Sequence, residues 1–441
     1  MNQHKYTVRP AAKKPIEVCV PGSKSITNRA LLIAALANGR SELTGVLFSD
    51  DSRHFLQALI DLGFSVEVDE ERAFVAITGL GGAIPAAGRG SLEGGIDAEI
   101  DVGSAGTAAR FLAAYLGMSK GRFFMTSSEQ MKRRPMQELL EALALLGADI
   151  AYGEEAYHFP FVIGNEKRTR TEITIDIDKS SQFLSALLIS SVLSDEDFVI
   201  HVTGSHGMAY VDMTLRMMEQ FGVSVEREDA GTFRVPGTAH YQALAYEVEP
   251  DVSAAAYFYA MCPVLNVSAK VFHVHKDCLQ GDIAFLRVLK QMGCRSEEEA
   301  DGIRMDPPEG RMRGGSFDLS AFSDQALTLA AIGCFAKLPV TIRNIGHIRY
   351  QECDRLAAIE ENLARMGIAC EVSGGDITIL PGQPHGCEIE TFEDHRVAMA
   401  FAIPGLVTPG ITIVNPMCCR KTFERYFEVL EEKVCNSSGG I

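Results

Sequence analysis

One local pattern recurs five times along this 441-residue chain and constrains its fold more than any other feature. Each copy is an amphipathic helix ending in a large apolar residue and a glycine, followed by a strand, a turn and a second strand. The copies read ALIDLGFSVEVDEERAFVAITG, ALALLGADIAYGEEAYHFPFVIG, MMEQFGVSVEREDAGTFRVPG, VLKQMGCRSEEEADGIRMDPP and NLARMGIACEVSGGDITILPG. A glycine after the last helical turn adopts the left-handed conformation that releases the chain into the strand. Gly63, Gly147, Gly222, Gly293 and Gly367 fall roughly 70 to 85 residues apart, too long a period for a solenoid. Each repeat therefore reads as a small α/β module.

A second, strongly apolar helix accompanies each module: TAARFLAAYLG, SQFLSALLISSVL, SAAAYFYAMCPVL, QALTLAAIGCFA and RVAMAFAIPGL, with SITNRALLIAAL near the N terminus as a sixth. A helix that is apolar nearly all round belongs inside. The expected fold is thus α/β, with six modules, three to a domain, and buried helices surrounded by sheets and amphipathic helices. A Pro-Gly punctuator in VCVPGSK and a second break in YEVEPDVSA mark the crossings between domains. The predicted boundaries give a discontinuous domain, residues 1–20 plus 250–441, and a second domain over 21–249. The segment GLGGAIPAAGRGSLEGG reads as a loop, and without a GK[ST] ending it is no nucleotide P-loop.

Charge narrows the function classes. A formal net charge of −17 argues against a nucleic acid or an anionic membrane as partner. No basic start leads into an apolar run and no stretch has the length of a spanning helix, so the expected location is the cytoplasm. The 11 cysteines are scattered with no CxxC pair, which reads as reduced, mostly buried thiols.

The six apolar helices share a polar start: Lys24, Ser25 and Arg29; Ser104, Gly106 and Thr107; Ser180, Ser181 and Gln182; Asp251 and Ser253; Ser323 and Asp324; Asp394, His395 and Arg396. Ser, Thr and Asp in such places ordinarily cap the helix. Lys24, Arg29 and Arg396 are different, because a cation at a helix N terminus opposes the dipole. Unpaired N–H groups and the positive end of the dipole make helix starts ready anion sites, so these cations point to a multiply charged anionic ligand.

Read in order, PGSKSITNRALLIAAL, SAGTAARFL, KRRPM, SSQFLSALL, SDQALTLA, ECDRLAAI, EDHRVAMAF and RKTFERYF resemble the motifs of the enolpyruvyl transferase family, over residues 7 to 433 or so, nearly the whole chain. The resemblance implies two globular domains, each of three βαβαββ units with buried helices (an inverse α/β barrel), and an active site in the hinge cleft. It implies a monomer, no metal and no organic cofactor. The implied reaction moves the carboxyvinyl group of phosphoenolpyruvate to a ring hydroxyl of 3-phosphoshikimate and releases phosphate. Such chemistry needs a base for the hydroxyl, an acid for the vinyl methylene, and cations for a phosphate and a carboxylate.

By the same resemblance, Lys24, Gly106, Arg134, Gln182, Arg355, Arg396 and Lys421 hold phosphoenolpyruvate. Asp324 is the base and Glu352 the acid, with Lys24 sharing that role and His395 orienting phosphate or assisting proton movement. The acceptor falls to Lys24, Ser25, Arg29, Ser180, Ser181, Gln182, Tyr210, Asp324, His347 and Gln351. Here the chain departs from the family pattern: Gln351 replaces a lysine, His347 an asparagine, and Gly207 a serine, with Ser205 nearby. Removing a cation from one phosphate weakens binding by about one to two powers of ten; His347 or Arg349 is the candidate replacement. Ser104 and Phe111 also replace an asparagine and a proline.

Three alternatives stay open on sequence. A sister enzyme acting on UDP-N-acetylglucosamine would need GAKN-like residues at Gly22–Ser25 and a loop cysteine near SSEQM. A relative using an unphosphorylated shikimate-like acceptor would suit Gln351, His347 and Gly207. A non-catalytic metabolite-binding clamshell would be expected to lose Asp324 and Glu352, and both are present.

Overall fold

A computed structural model of the chain describes residues 4–90, 92–167 and 169–435. The chain forms two compact units, Met1–Pro21 with Glu249–Ile441, and Gly22–Val248. The described residues build six sheets, five of four strands and one of three.

Each four-stranded sheet joins a parallel pair to an antiparallel hairpin. In one, Ala98–Asp101 runs parallel to Phe123–Thr126, and the latter is antiparallel to Phe161–Gly164, which pairs with Asp149–Tyr152. A parallel pair requires a crossover, and the buried helix Gly106–Gly117 supplies it. The amphipathic helix Gln137–Leu145 then leads into the hairpin. Gly63, Gly147, Gly222, Gly293 and Gly367 all have positive φ, between +75° and +110°, as the repeated helix ends require.

The sixth sheet departs from the pattern. Thr412–Val414 pairs in parallel with Glu388–Ile389, but its other neighbour is Lys5–Thr7, from the N terminus. The chain continues instead into the helix Tyr426–Lys433. Six equal four-stranded modules are thus corrected to five plus a shorter one, because a strand remote in sequence takes the place of the hairpin.

Inside each unit three apolar helices form the core. In the first unit Val252–Leu265, Ala326–Gly333 and His395–Gly405 pack on one another; in the second, Gly106–Gly117 packs on both Lys24–Leu36 and Gln182–Ser190. Gly106–Gly117, Ala326–Gly333 and His395–Gly405 are buried along their whole length. Burying such side chains contributes about 1.5–3 kcal/mol each. Strands approach these helices closely: a Cβ at Gly79 would lie 2.3 Å from the carbonyl oxygens of Ala34 and Ala37. No helix among the described residues is long and apolar enough to cross a membrane.

Candidate active site

One buried ionic cluster gathers at the starts of two core helices of the first unit, Ala326–Gly333 and His395–Gly405, and of the amphipathic helix Arg355–Arg365. Asp394 caps the helix His395–Gly405 by accepting from the Arg396 backbone N–H at 2.8 Å. The same carboxylate takes Arg355 Nε at 2.7 Å and Nη2 at 3.3 Å. Arg355, itself at the start of Arg355–Arg365, also donates Nη1 to Asp324 at 3.0 Å and to the Gln351 side-chain oxygen. Asp324 receives Arg396 Nη2 at 2.7 Å on its other oxygen. Glu352 lies 2.9 Å from His395 Nδ1, 3.4 Å from Lys421 Nζ and 3.8 Å from Arg355 Nη2.

These contacts set the charge state. Burial alone would drive the Arg355 guanidinium down, but Asp394, Asp324 and Glu352 outweigh it and push it up, so it stays charged. Ligand atoms of Glu352, Asp394 and His395 come within 4.8 Å of one another, a grouping that resembles a metal site. Arg355 and Lys421 already balance these carboxylates, so the cluster does not need a cation.

Behind Asp324 lies a further buried acid, Asp282, which accepts from the Ser253 hydroxyl and from Gln325 Nε2, both at 2.9 Å. Burial, with the charge of Asp324 added, pushes Asp282 up to about 6. Its ordinary value is 3.8, so between those limits the folded chain holds a proton that the unfolded chain has lost, and stability falls as pH rises. Below that window the group adds no cost; above it the cost is constant, at about 2–3 kcal/mol. Asp282→Asn should therefore gain on the wild type by about that amount between pH 4 and 7.5, as read by urea unfolding. A gap that stays level with pH would contradict the burial cost.

The second unit gathers cations of another kind. Arg29 is buried and donates to the Thr214 hydroxyl at 2.8 Å, the Ser25 and Tyr210 carbonyls at 3.0 and 3.1 Å, and Ser185 Oγ at 3.4 Å. Its guanidinium carbon lies 5.3 Å from the centre of the Phe111 ring. Burial pushes Arg29 down to about 10, still well above neutrality. Arg110 is also buried, held by the Gly106 carbonyl at 3.0 Å and the Pro135 carbonyl at 2.7 Å. Arg134 reaches the same helix start. A Cβ on Gly106 would fall 2.4 Å from Arg134 Nη1 and 2.5 Å from Arg110 Nη1. None of these three arginines forms an ion pair with a carboxylate among the described residues.

Such crowding makes Gly106 a test of the cation arrangement. Gly106→Ala should force both guanidiniums aside and raise KM for an anionic donor about tenfold, the equivalent of one charged hydrogen bond weakened. An unchanged KM would mean that neither arginine bears on that ligand.

Other expected residues fall around these centres. Lys24 Nζ pairs with the buried Asp51 at 3.4 Å, and Ser23, not Ser25, caps their helix. Ser180 Oγ accepts from the Gln182 backbone at 3.3 Å. Gly207 has φ +65°, and a Cβ there would meet Ser181 Oγ at 2.6 Å, so Ser181 occupies the space a serine at 207 would need. Arg349 pairs with Asp354 at 2.8 Å, with both side chains about half-exposed. His347 sits on the same short turn, Gly346–Tyr350, just before Gln351. Asp282, Asp51 and Arg110 were not singled out from sequence, and Asp394 was read only as part of a helix start. Their types are ordinary there; only burial without solvent marks them.

Fold and site together define an α/β enzyme of small, multiply anionic substrates, its arginines and lysines concentrated against an acidic whole. Residues 9–430 match the EPSP synthase (3-phosphoshikimate 1-carboxyvinyltransferase) family, and the chain belongs to that family. It is 38% identical over 430 residues to the 3-phosphoshikimate 1-carboxyvinyltransferase of Nostoc punctiforme, covering 96% of this chain and 99% of that one. With the enzyme of that name from Nostoc sp. the identity is 40% over 421 residues, covering 95% and 97%. Among solved structures, an EPSP synthase from Acinetobacter baumannii matches the fold with a TM-score of 0.80 at 24% identity, over 98% of both chains.

Proposed function

We propose that the chain transfers the carboxyvinyl group of phosphoenolpyruvate to the 5-hydroxyl of 3-phosphoshikimate, giving 5-enolpyruvylshikimate 3-phosphate and phosphate. This is the family's step of the shikimate pathway, towards chorismate and the aromatic amino acids. The observation that carries it is Asp324, a carboxylate gripped by Arg355 and Arg396: a base beside two cations suited to the donor's carboxylate and phosphate.

In this reading Lys24, Gly106, Arg134, Gln182, Arg355, Arg396 and Lys421 hold the donor. Ser25, Arg29, Ser180, Ser181, Tyr210, His347 and Gln351 serve the acceptor. Glu352 delivers a proton to the donor's methylene, and His395, 2.9 Å away, assists that proton movement. The carbon left behind is oxocarbenium-like, and the acceptor hydroxyl adds to it as Asp324 takes the hydroxyl proton. The resulting ketal then returns a methyl proton to Glu352 and expels phosphate, which takes up the proton held by Asp324, so the vinyl group is restored and both acids are reset. Arginines placed before the reaction stabilise charge without reorganising.

The two compact units are taken as the two domains, each an inverse α/β barrel of βαβαββ type, acting as a cytoplasmic monomer without metal or organic cofactor. The test is phosphate release from phosphoenolpyruvate with 3-phosphoshikimate and, separately, with shikimate. Preference for the phosphorylated acceptor is expected. Preference for shikimate would show that Gln351, His347 and Gly207 have moved the enzyme to another acceptor, and silence with both would sink the reading.

A further inference from the structure

We propose that Asp282 is a positioning residue for the reaction, holding the Asp324 turn through Gln325 and supplying the negative charge that keeps Asp324 basic between two arginines. The inference rests on the reading of Asp324 as base.

The geometry begins with Gln325. It follows Asp324 directly, and its side chain is fixed at both ends: Nε2 donates to Asp282 and Oε1 accepts from the Thr328 hydroxyl at 3.1 Å. Asp282 thereby anchors the short turn Ser323–Gln325 that carries the base. On its other side Asp282 takes the hydroxyl of Ser253, in the first turn of Val252–Leu265. That turn is itself pinned by Asp251, which caps Ala254 at 3.0 Å, and by Gln280, whose Oε1 takes the Val252 N–H at 2.9 Å. Asp282 thus joins two core helices and is bonded only by neutral donors among the described residues.

The electrostatics follow. A carboxylate with a guanidinium on each oxygen loses basicity, which is the wrong direction for a group that must take a hydroxyl proton. A second buried carboxyl nearby acts the other way, since like charges oppose ionisation. The charges acting on Asp282 are Asp324 and Arg396, in that order of size after burial itself. By reciprocity an ionised Asp282 raises the proton affinity of Asp324. When Asp282 is protonated that support is withdrawn.

The experiment is the pH profile of kcat, with phosphoenolpyruvate and 3-phosphoshikimate saturating, for wild type, Asp282→Asn, Ser253→Ala and Asp324→Asn. Asp282→Asn should lower plateau kcat about three- to tenfold, as a weaker base does, and move the acid limb to lower pH, with KM for phosphoenolpyruvate within about twofold. Ser253→Ala removes a donor from ionised Asp282, so the limb should move the opposite way, to higher pH. Both variants are checked for native melting. If Asp282→Asn does not fold, Ser253→Ala decides alone: an unmoved limb overturns the proposal. Profiles of Asp282→Asn and wild type that superimpose, while Asp324→Asn is silent, overturn the role of Asp282 and leave the base in place. Turnover surviving in Asp324→Asn removes the base and this inference together.

Discussion

Asp324→Ala is expected to lower kcat about 10²- to 10⁴-fold, the range that a positioned general base contributes, without weakening the donor. Both effects come from the same two contacts. Asp324 occupies Arg355 Nη1 at 3.0 Å and Arg396 Nη2 at 2.7 Å, so it competes with any anion for those guanidiniums. Truncation removes the competitor as well as the base. Arg355 still has Asp394, whereas Arg396 loses its 2.7 Å partner and becomes the better anion ligand. KM for phosphoenolpyruvate should therefore hold or fall while kcat collapses. Steady-state kinetics with both substrates separate the two, and a kcat within tenfold of wild type would mean that the proton goes elsewhere.

The largest loss of stability is expected from Asp394→Ala. The side chain is fully buried, caps a core helix and is the largest of the three carboxylate influences that hold Arg355, itself buried, in its charged form. Breaking a buried pair by removing one partner costs about 3–5 kcal/mol, because the other charge remains inside. Loss of the cap adds about 1 kcal/mol. Asp394→Asn keeps an acceptor for the Arg396 N–H and for one Arg355 contact, so it should lose less. Urea unfolding of the two variants at neutral pH measures the difference. A loss below about 1 kcal/mol for the alanine variant would show that Asp324 and Glu352 suffice to hold Arg355.

The contrast between these two acids shows what was legible. Both were visible at the starts of apolar helices, where an acid ordinarily caps; the family resemblance singled out Asp324 as the base and left Asp394 as part of a helix start. Asp394 is a cap in fact, but it is also the hub on which Arg355 rests. Asp324 lies inside the short turn Ser323–Gln325, not at the cap position of the helix that follows, and bridges two arginines. Capping follows from an offset of two or three residues and can be read along the chain. Pairing between side chains remote in sequence cannot. Lys24 and Asp51, Glu352 and Lys421, and Asp282 with Gln325 are of the second kind.

Sequence by itself determined the repeated unit: helix, left-handed glycine, hairpin, and an apolar helix destined for the interior. It did so because each element depends on residues within a few turns of one another, through periodicity, caps and glycine conformation. It also concentrated cations at helix starts where the dipole disfavours them. Tertiary structure alone decided that the sixth sheet takes its third strand from Lys5–Thr7, that Arg349 pairs with Asp354, and that Arg29, Arg110 and Arg134 form no carboxylate pair among the described residues while Arg355 and Arg396 share Asp324. The physical reason is common to all three. Strand pairing and buried charge compensation are set by which distant residues the packed core brings within about 3 Å, the reach of a hydrogen bond, and no local pattern records that.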